Sequence, residues 1–255
     1  MNIFLFRVGG SLAGVGWYHF YQYIGLLVGF VIAGHWAERS DRTVVLRIGT
    51  MTHAFFFFVI LLLGEGAAGF VRELGLLLGV GGGFFWLGSH TVMFDLTSDE
   101  DRDRFYGLYN VLASLVTMIA PFIAGAVLAR VPGTPGYRII FLVSLLFLAG
   151  SAAVTLLLRE RSADGAFDLW TALRSDDNPD WRRVMWINGL TGVRDGVFVF
   201  FVGLLLYMAT ESEFAVGTIV LLGGAVTVMM SWIVGIRVNS SNRSRPLTVG
   251  FFGTA

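Results

Sequence analysis

The feature that most constrains this chain is a series of apolar runs that short clusters of charged residues separate. Each run is about 20 residues long, which is the length that a helix needs to cross the hydrocarbon core of a bilayer. Runs that are apolar on every side do not form the surface helices of soluble proteins. Charged residues make up 14% of the 255 residues, against about 25% in a typical soluble domain. The sequence therefore predicts an all-α polytopic membrane protein.

The uncharged runs place seven complete transmembrane helices in the chain. We predict them at about 14–35, 44–63, 74–93, 105–129, 138–158, 184–208 and 214–236. Two partial helices flank them. Residues 1–12 resemble the last turns of a helix, and residues 248–255 resemble a span that stops after two turns.

The arginines predict the orientation, because cytoplasmic loops carry an excess of basic residues. Thirteen arginines lie in or beside the loops 36–44, 94–104, 159–183 and 237–247, and four lie at the opposite helix ends. The four loops are therefore predicted to be cytoplasmic, and the protein is expected in the cell (cytoplasmic) membrane with the lipid bilayer as its main partner.

The loop 159–183 is longer and more polar than the others, which is typical of a boundary between two units. We expect an N-terminal transmembrane half at 1–158, a cytoplasmic linker at 159–183, and the start of a C-terminal half at 184–255.

Two motifs resemble those of the major facilitator superfamily. The stretch "GHWAERSDRTVVL" resembles the family signature Gly-x-x-x-Asp-Arg-x-Gly-Arg between helices 2 and 3. Gly34, Arg39 and Arg42 match it, whereas Glu38 replaces the Asp and Asp41 replaces the second Gly. The stretch "APFIAG", residues 120–125, resembles the fifth-helix motif Gly-Pro-x-x-x-Gly and matches it at Pro121 and Gly125.

This resemblance implies a major-facilitator-type helical bundle and a role for the first motif on the cytoplasmic side. The motif would hold the two halves together in one state and release them when the halves rock. Asp95 is the candidate partner of Arg39 or Arg42, and Arg42, Arg102 and Arg104 are candidate partners of Glu38. The alternative is that these arginines serve membrane topology alone.

The resemblance covers the chain as helices 2 to 8 of twelve, with partial helices 1 and 9. We therefore expect a fragment that lacks most of helix 1 and everything after the start of helix 9. In the family, the position of Glu38 acts against helix 11, which would lie beyond Ala255.

Arg194 and Asp195 are the most informative polar residues, because both fall near the middle of the span 184–208. Ionisable side chains at that depth are costly and mark ion or substrate paths, or they pair inside the bundle. Asn188, Thr191 and Asp195 form one polar stripe along the helix. Adjacent residues point about 100° apart, so we do not expect Arg194 and Asp195 to pair merely as neighbours.

Four further polar residues fall within predicted spans: His53, His90, Asn110 and Gln22. A histidine there either relays protons or is a hydrogen-bonded packing residue. Pro121 is either a tolerated kink or part of a packing face that moves with the halves. Gly79 and Gly83 form a small-xxx-small face for contact between helices.

These features predict a secondary active transporter that moves a small solute by alternating access. Proton-coupled export, with Asp195 as the proton site, is a further hypothesis, and the substrate is not identified. An inactive fragment or a non-transporting membrane subunit is the alternative. With no cysteine and no HExxH motif, we expect neither an enzyme nor a metal or other cofactor, and no nucleic-acid partner.

Overall fold

The computed structural model describes residues 1–39, 41–98, 100–159 and 179–237, and these residues form helices without strands. A short helix, α1 (Asn2–Gly9), precedes seven long ones. The long helices are α2 (Leu12–Arg39), α3 (Arg42–Leu63), α4 (Val71–Leu96), α5 (Arg102–Arg130), α6 (Thr134–Thr155), α7 (Pro179–Thr210) and α8 (Glu213–Arg237). A 3-10 helix, Gly64–Phe70, joins α3 to α4.

All seven predicted helices are present, and residues 2–9 are helical as expected. Five stretches are long and apolar enough to span a membrane, namely Leu12–Glu38, Arg42–Leu96, Arg104–Arg130, Thr134–Thr155 and Asp180–Thr210. The stretch Arg42–Leu96 holds both α3 and α4, which pack against each other and so account for two crossings. Residues Glu213–Met229 of α8 form a shorter apolar helix. The chain is thus a multi-pass membrane protein.

Most of the helices extend further than the apolar runs that predicted them, although α6 ends at Thr155, before the predicted end at 158. The predicted loop 36–44 shrinks to the break between Arg39 and Arg42, and the loop 94–104 shrinks to residues 97–101. A helix satisfies its own backbone hydrogen bonds, so it continues past the last apolar residue until a capping residue ends it. The predicted linker 159–183 lies outside the described residues except at Arg159 and 179–183, and the partial span 248–255 lies outside them entirely.

The helix order defines two ends of the bundle. The arginine-rich end holds the α2–α3 and α4–α5 connections and the end of α6. The opposite end holds the α1–α2, α3–α4, α5–α6 and α7–α8 connections. A large buried cluster in the opposite half holds residues from α1 to α7, among them Phe4, Tyr18, Phe56, Phe141 and Leu204. A smaller cluster near the arginine-rich end holds Ala33, Ala37, Val45 and Phe84.

Glycines set the distance between α2 and α4, which share the most extensive contact of the fold. A Cβ atom on Gly79 would overlap the carbonyl oxygen of Gln22 and lie 2.8 Å from the backbone nitrogen of Leu26. A Cβ atom on Gly83 would overlap the backbone of Gly29 and Phe30. The predicted contact face of Gly79 and Gly83 is therefore confirmed, since close backbone approach is how helices associate in lipid.

We predict that Gly79→Ala lowers the free energy of unfolding in detergent by about 1–3 kcal/mol, because the added methyl group forces α2 and α4 apart. Gly150→Ala in α6 is the matched control. No heavy atom lies within 4 Å of a Cβ at that site, so this change should be neutral or slightly stabilising. Equal destabilisation by both variants would contradict this account of the helix contact.

Candidate functional site

The motif between α2 and α3 forms a capped helix start and an ion pair. Asp41 is the N-cap of α3, and its carboxylate accepts a hydrogen bond from the backbone nitrogen of Thr43 at 2.9 Å. Asp41 thus replaces a family glycine with a residue that N-caps favour. Arg42 Nη1 donates to Asp95 Oδ1 at 2.6 Å, with the side chains 26% and 17% exposed. Of the two expected partners for Asp95, the structure pairs Arg42; the side chain of Arg39 lies outside the described residues.

The prediction that Glu38 pairs with a local arginine is wrong. Among the described side chains, Glu38 forms no ion pair with Arg42, Arg102 or Arg104. Arg42 pairs with Asp95 instead, and this ion pair satisfies its charge.

Arg102 is engaged at the end of α4, which explains why it does not reach Glu38. Its guanidinium lies 4.1 Å from the ring centroid of Phe94. It also donates a hydrogen bond to the carbonyl oxygen of Thr97 at 3.3 Å. A cation at a helix C-terminus is favourable for the helix dipole, so Arg102 stabilises the α4–α5 connection. Arg104 is exposed.

Sequence reasoning missed Arg47, which it counted only as a topology signal. Its guanidinium donates hydrogen bonds to the carbonyl oxygens of Thr155 at 3.1 Å and Leu158 at 2.9 Å. These are C-terminal carbonyls of α6 and of the turn that follows, which have no partner within the helix. Arg47 therefore ties α3 to the point at which the predicted linker begins.

Arg194 and Asp195 do pair, contrary to the expectation from helix geometry. Arg194 Nε and Nη2 donate to Asp195 Oδ1 at 3.0 and 2.8 Å. Adjacent side chains leave a helix in different directions, but the arginine stem is long enough to fold back onto its neighbour. The side chains are 63% and 55% exposed, so the pair is open to a ligand or another segment.

The polar stripe of α7 is otherwise as expected in position. Asn188 and Thr191 are exposed, like Asp195. The Asn188 amide donates to the carbonyl oxygen of Val184 at 2.9 Å. The stripe therefore exists as a surface of α7, and its role in transport stays a prediction.

The two predicted histidines lie apart from this stripe and pack against aromatic rings. Nδ1 of His53 lies 2.8 Å from the carbonyl oxygen of Gly49, and its ring contacts Phe85 with centroids 5.5 Å apart. The ring of His90 is exposed and stacks on Trp86 at 5.7 Å. These contacts favour packing over proton relay for both histidines.

Gln22 belongs to a buried polar group that sequence reasoning did not find. Nε2 of His19 lies 2.9 Å from Asn2 Oδ1, which links α2 to α1. Among the described residues, the buried Gln22 Oε1 and Tyr18 hydroxyl have no hydrogen-bond partner. The sequence signal that could have revealed this group is the i, i+3 spacing of His19 and Gln22, which places both side chains on one face of α2. Asn110 is exposed on α5 and is not part of this group.

The fifth-helix motif packs α5 directly onto α8. A Cβ atom on Gly217 would lie 2.5 Å from the carbonyl oxygen of Pro121, and one on Gly125 would lie 2.6 Å from that of Glu213. Pro121 lies inside a continuous α5. Pro121 and Gly125 thus belong to a close contact between the two predicted halves.

A cavity of about 470 Å³ lies beside this contact, between α1, α5, α6, α7 and α8. Its lining is mostly apolar, and the polar side chains among its lining residues are Asn2, Tyr137 and Glu213. Arg7 Nη1 donates to Glu213 Oε1 at 2.6 Å, and the Tyr137 hydroxyl donates to the same oxygen at 3.1 Å. Size and lining are typical of a small-molecule site. Sequence reasoning missed Arg7, Tyr137 and Glu213, because each lies near a helix end, where a charged or aromatic residue is unremarkable.

The comparisons with known proteins agree with this architecture. The profile of the Major Facilitator Superfamily matches residues 3–255. The chain belongs to this superfamily, a family of membrane transporters rather than of enzymes.

Two bacterial relatives share the sequence. The "Uncharacterized protein YqgE" of Bacillus subtilis (strain 168) is 31% identical over 251 residues, which cover 98% of this chain and 58% of that protein. The "Uncharacterized protein in sodM 3'region" of Geobacillus stearothermophilus is 37% identical over 142 residues, which cover 56% of this chain and 66% of that protein. The chain thus spans less than two thirds of the length of either relative. No solved structure matches.

We predict that Arg42 and Asp95 are energetically coupled. A double-mutant cycle with Arg42→Gln and Asp95→Asn should give a coupling of about 1–2 kcal/mol in the free energy of unfolding, because the pair is charged and partly buried. The control cycle uses the Arg183–Asp180 pair, whose side chains are 75% and 77% exposed. Its coupling should stay below about 0.5 kcal/mol. A value for Arg42–Asp95 no larger than the control value would show that this ion pair does not stabilise the bundle.

Proposed function

We propose that the protein is a secondary active transporter that moves a small solute across the membrane by alternating access. The observation that carries this proposal is the cavity between α1, α5, α6, α7 and α8. It lies where the predicted N-terminal half (1–158) meets the predicted C-terminal half (184–255), so a relative motion of the halves would open it to one side or the other. Membership of a transporter family supports the same conclusion.

The contacts around the cavity suit such a motion. On one side α5 and α8 touch through backbone atoms at Pro121, Gly125 and Gly217. Small residues let two helices slide or tilt without large side chains interlocking, whereas a packed core resists gradual deformation. The same two halves also meet through the Arg7–Glu213 ion pair, at the end of the bundle that is opposite to the arginine-rich end. This ion pair is a contact that can break and form again.

The arginine-rich end provides a second set of contacts, in which Arg42 pairs with Asp95 and Arg47 binds the end of α6. Both contacts lie within the predicted N-terminal half, so they make this half a rigid unit. Glu38, which has none of its expected local partners, is then available for a contact outside the described residues. We propose that this is the cytoplasmic contact that closes one state of the cycle.

A single cysteine in the cavity tests alternating access. The chain has no cysteine, so Ala124→Cys, at a half-buried lining position, introduces a thiol at a known place. In the protein as its gene encodes it, without other cysteines, a membrane-impermeant maleimide should label this thiol from either side. The measurement compares labelling in right-side-out and inside-out vesicles. Labelling from one side only, in every condition, would support a non-transporting membrane subunit instead.

We further propose that transport is coupled to protons through Asp195, in the direction of export. In proteoliposomes with a pH gradient, wild type should drive flux of a solute found by screening sugars, amino acids, organic cations and organic anions. Asp195→Asn should abolish the dependence of this flux on the gradient, because the amide cannot take up a proton. Asp180→Asn, the same change at an exposed aspartate of the same helix, is the control. If gradient-driven flux persists in Asp195→Asn, the proton site lies elsewhere.

A further inference from the structure

The charge of the cavity between α1, α5, α6, α7 and α8 indicates what it binds. Glu213 is the charged side chain among its lining residues, and the remaining surface comes mainly from aliphatic and aromatic side chains and glycines. A carboxylate at a mostly apolar wall attracts a cation and repels an anion, and the low dielectric strengthens both effects. The lining therefore favours a ligand with an apolar body and one positive charge.

Glu213 retains capacity to accept such a charge. Both of its hydrogen bonds among the described residues, from Arg7 and from the Tyr137 hydroxyl, end on Oε1. An ionised carboxylate has about four acceptor positions on two oxygens, so Oε2 is left for a ligand. The side chain is 14% exposed, and Glu213 is one of the residues that line the cavity.

Arg7 pairs with this carboxylate but lines a different cavity. It lines a separate cavity of about 280 Å³ and is not among the residues that line the larger one. A cation that reaches Glu213 from the larger cavity therefore competes with Arg7 for the same carboxylate, without occupying the same space.

A second carboxylate is placed to receive the arginine once it is displaced. Glu65 lines the same 280 Å³ cavity as Arg7. At present its Oε1 accepts a hydrogen bond from the Thr134 hydroxyl at 2.6 Å. A guanidinium that leaves Glu213 thus finds another acceptor in its own cavity, so the exchange does not leave a charge unpaired, which would be costly.

We infer that the larger cavity binds a small amphipathic organic cation, that Glu213 pairs with its positive charge, and that the cation displaces Arg7 towards Glu65. This inference rests on the proposed transport function and names its substrate class. It also gives Arg7–Glu213 a role in the cycle. The ion pair joins α1 to the start of α8. Binding of the cation therefore breaks a contact between the two halves at the end of the bundle opposite to the arginine-rich end.

Binding of tetraphenylphosphonium to the purified protein, as its gene encodes it, tests the inference. Tetraphenylborate has nearly the same shape and the opposite charge, so it reports what shape and hydrophobicity alone contribute. We expect wild type to bind the phosphonium at least about tenfold more tightly than the borate, since one carboxylate–cation pair is worth about that factor or more.

Two substitutions should act in opposite directions. Glu213→Gln should weaken binding of tetraphenylphosphonium by about tenfold or more, because it removes the charge. Arg7→Gln should tighten binding by a few-fold, because it removes the competitor. A merely structural ion pair would give losses in both variants. Glu73→Gln, at an exposed position near the same end, is the matched control and should leave binding unchanged.

The outcomes are decisive in each case. Loss in both variants, equal binding of the two probes, or an unchanged Glu213→Gln would each overturn the inference. If Glu213→Gln does not give folded protein, two other variants test the inference. Glu213→Asp should keep the preference for the cation, and Arg7→Gln should still tighten binding.

The result is also separable from the transport proposal. Absence of phosphonium binding in a protein whose Ala124→Cys thiol is labelled from both sides would exclude this substrate class and leave alternating access standing. Phosphonium binding with labelling from one side only would support the binding of this class of ligand and contradict alternating access.

Discussion

The structure depends on how closely its helices approach each other in lipid. Lipid chains are as apolar as the side chains that face them, so the hydrophobic effect does not bring spanning helices together. Contact between backbones takes its place. The glycines that permit this contact lie on both partners, at Gly25, Gly29, Gly75, Gly79 and Gly83 between α2 and α4, at Gly49 and Gly88 between α3 and α4, and at Gly125 and Gly217 between α5 and α8. These contacts decide which helices lie side by side, and so which functional side chains can meet.

The charged residues then divide into two kinds, according to what lies around them. At the arginine-rich end, Arg42 binds a neighbouring carboxylate and Arg47 binds backbone carbonyls at the end of α6, all within one predicted half. These interactions hold the helices of that half together. At the opposite end, Arg7 and Glu213 belong to different halves and border a cavity on each side. An ion pair between two cavities is open to competition, whereas one between packed helices is not.

Much of the fold was predictable, because the length and apolarity of each helix are properties of the local sequence. The helix positions, the glycine face at Gly79 and the pair of Asp95 with Arg42 are confirmed. The expected partners of Glu38 were wrong, and so was the expectation that Arg194 and Asp195 do not pair. Both errors concern the path of a long side chain, which helix geometry and sequence spacing do not determine.

The sequence by itself determined that this is a polytopic helical membrane protein of the major facilitator type, because the bilayer sets the length and apolarity of every span. Tertiary structure alone decided which charged residues meet. Arg7, Tyr137 and Glu213 are far apart in the chain, and nothing local distinguishes them from other residues at helix ends. They become a site only when close packing of α5 on α8 brings the start of α8 beside α1 and α6, since a cavity and its charge arise from contacts between helices.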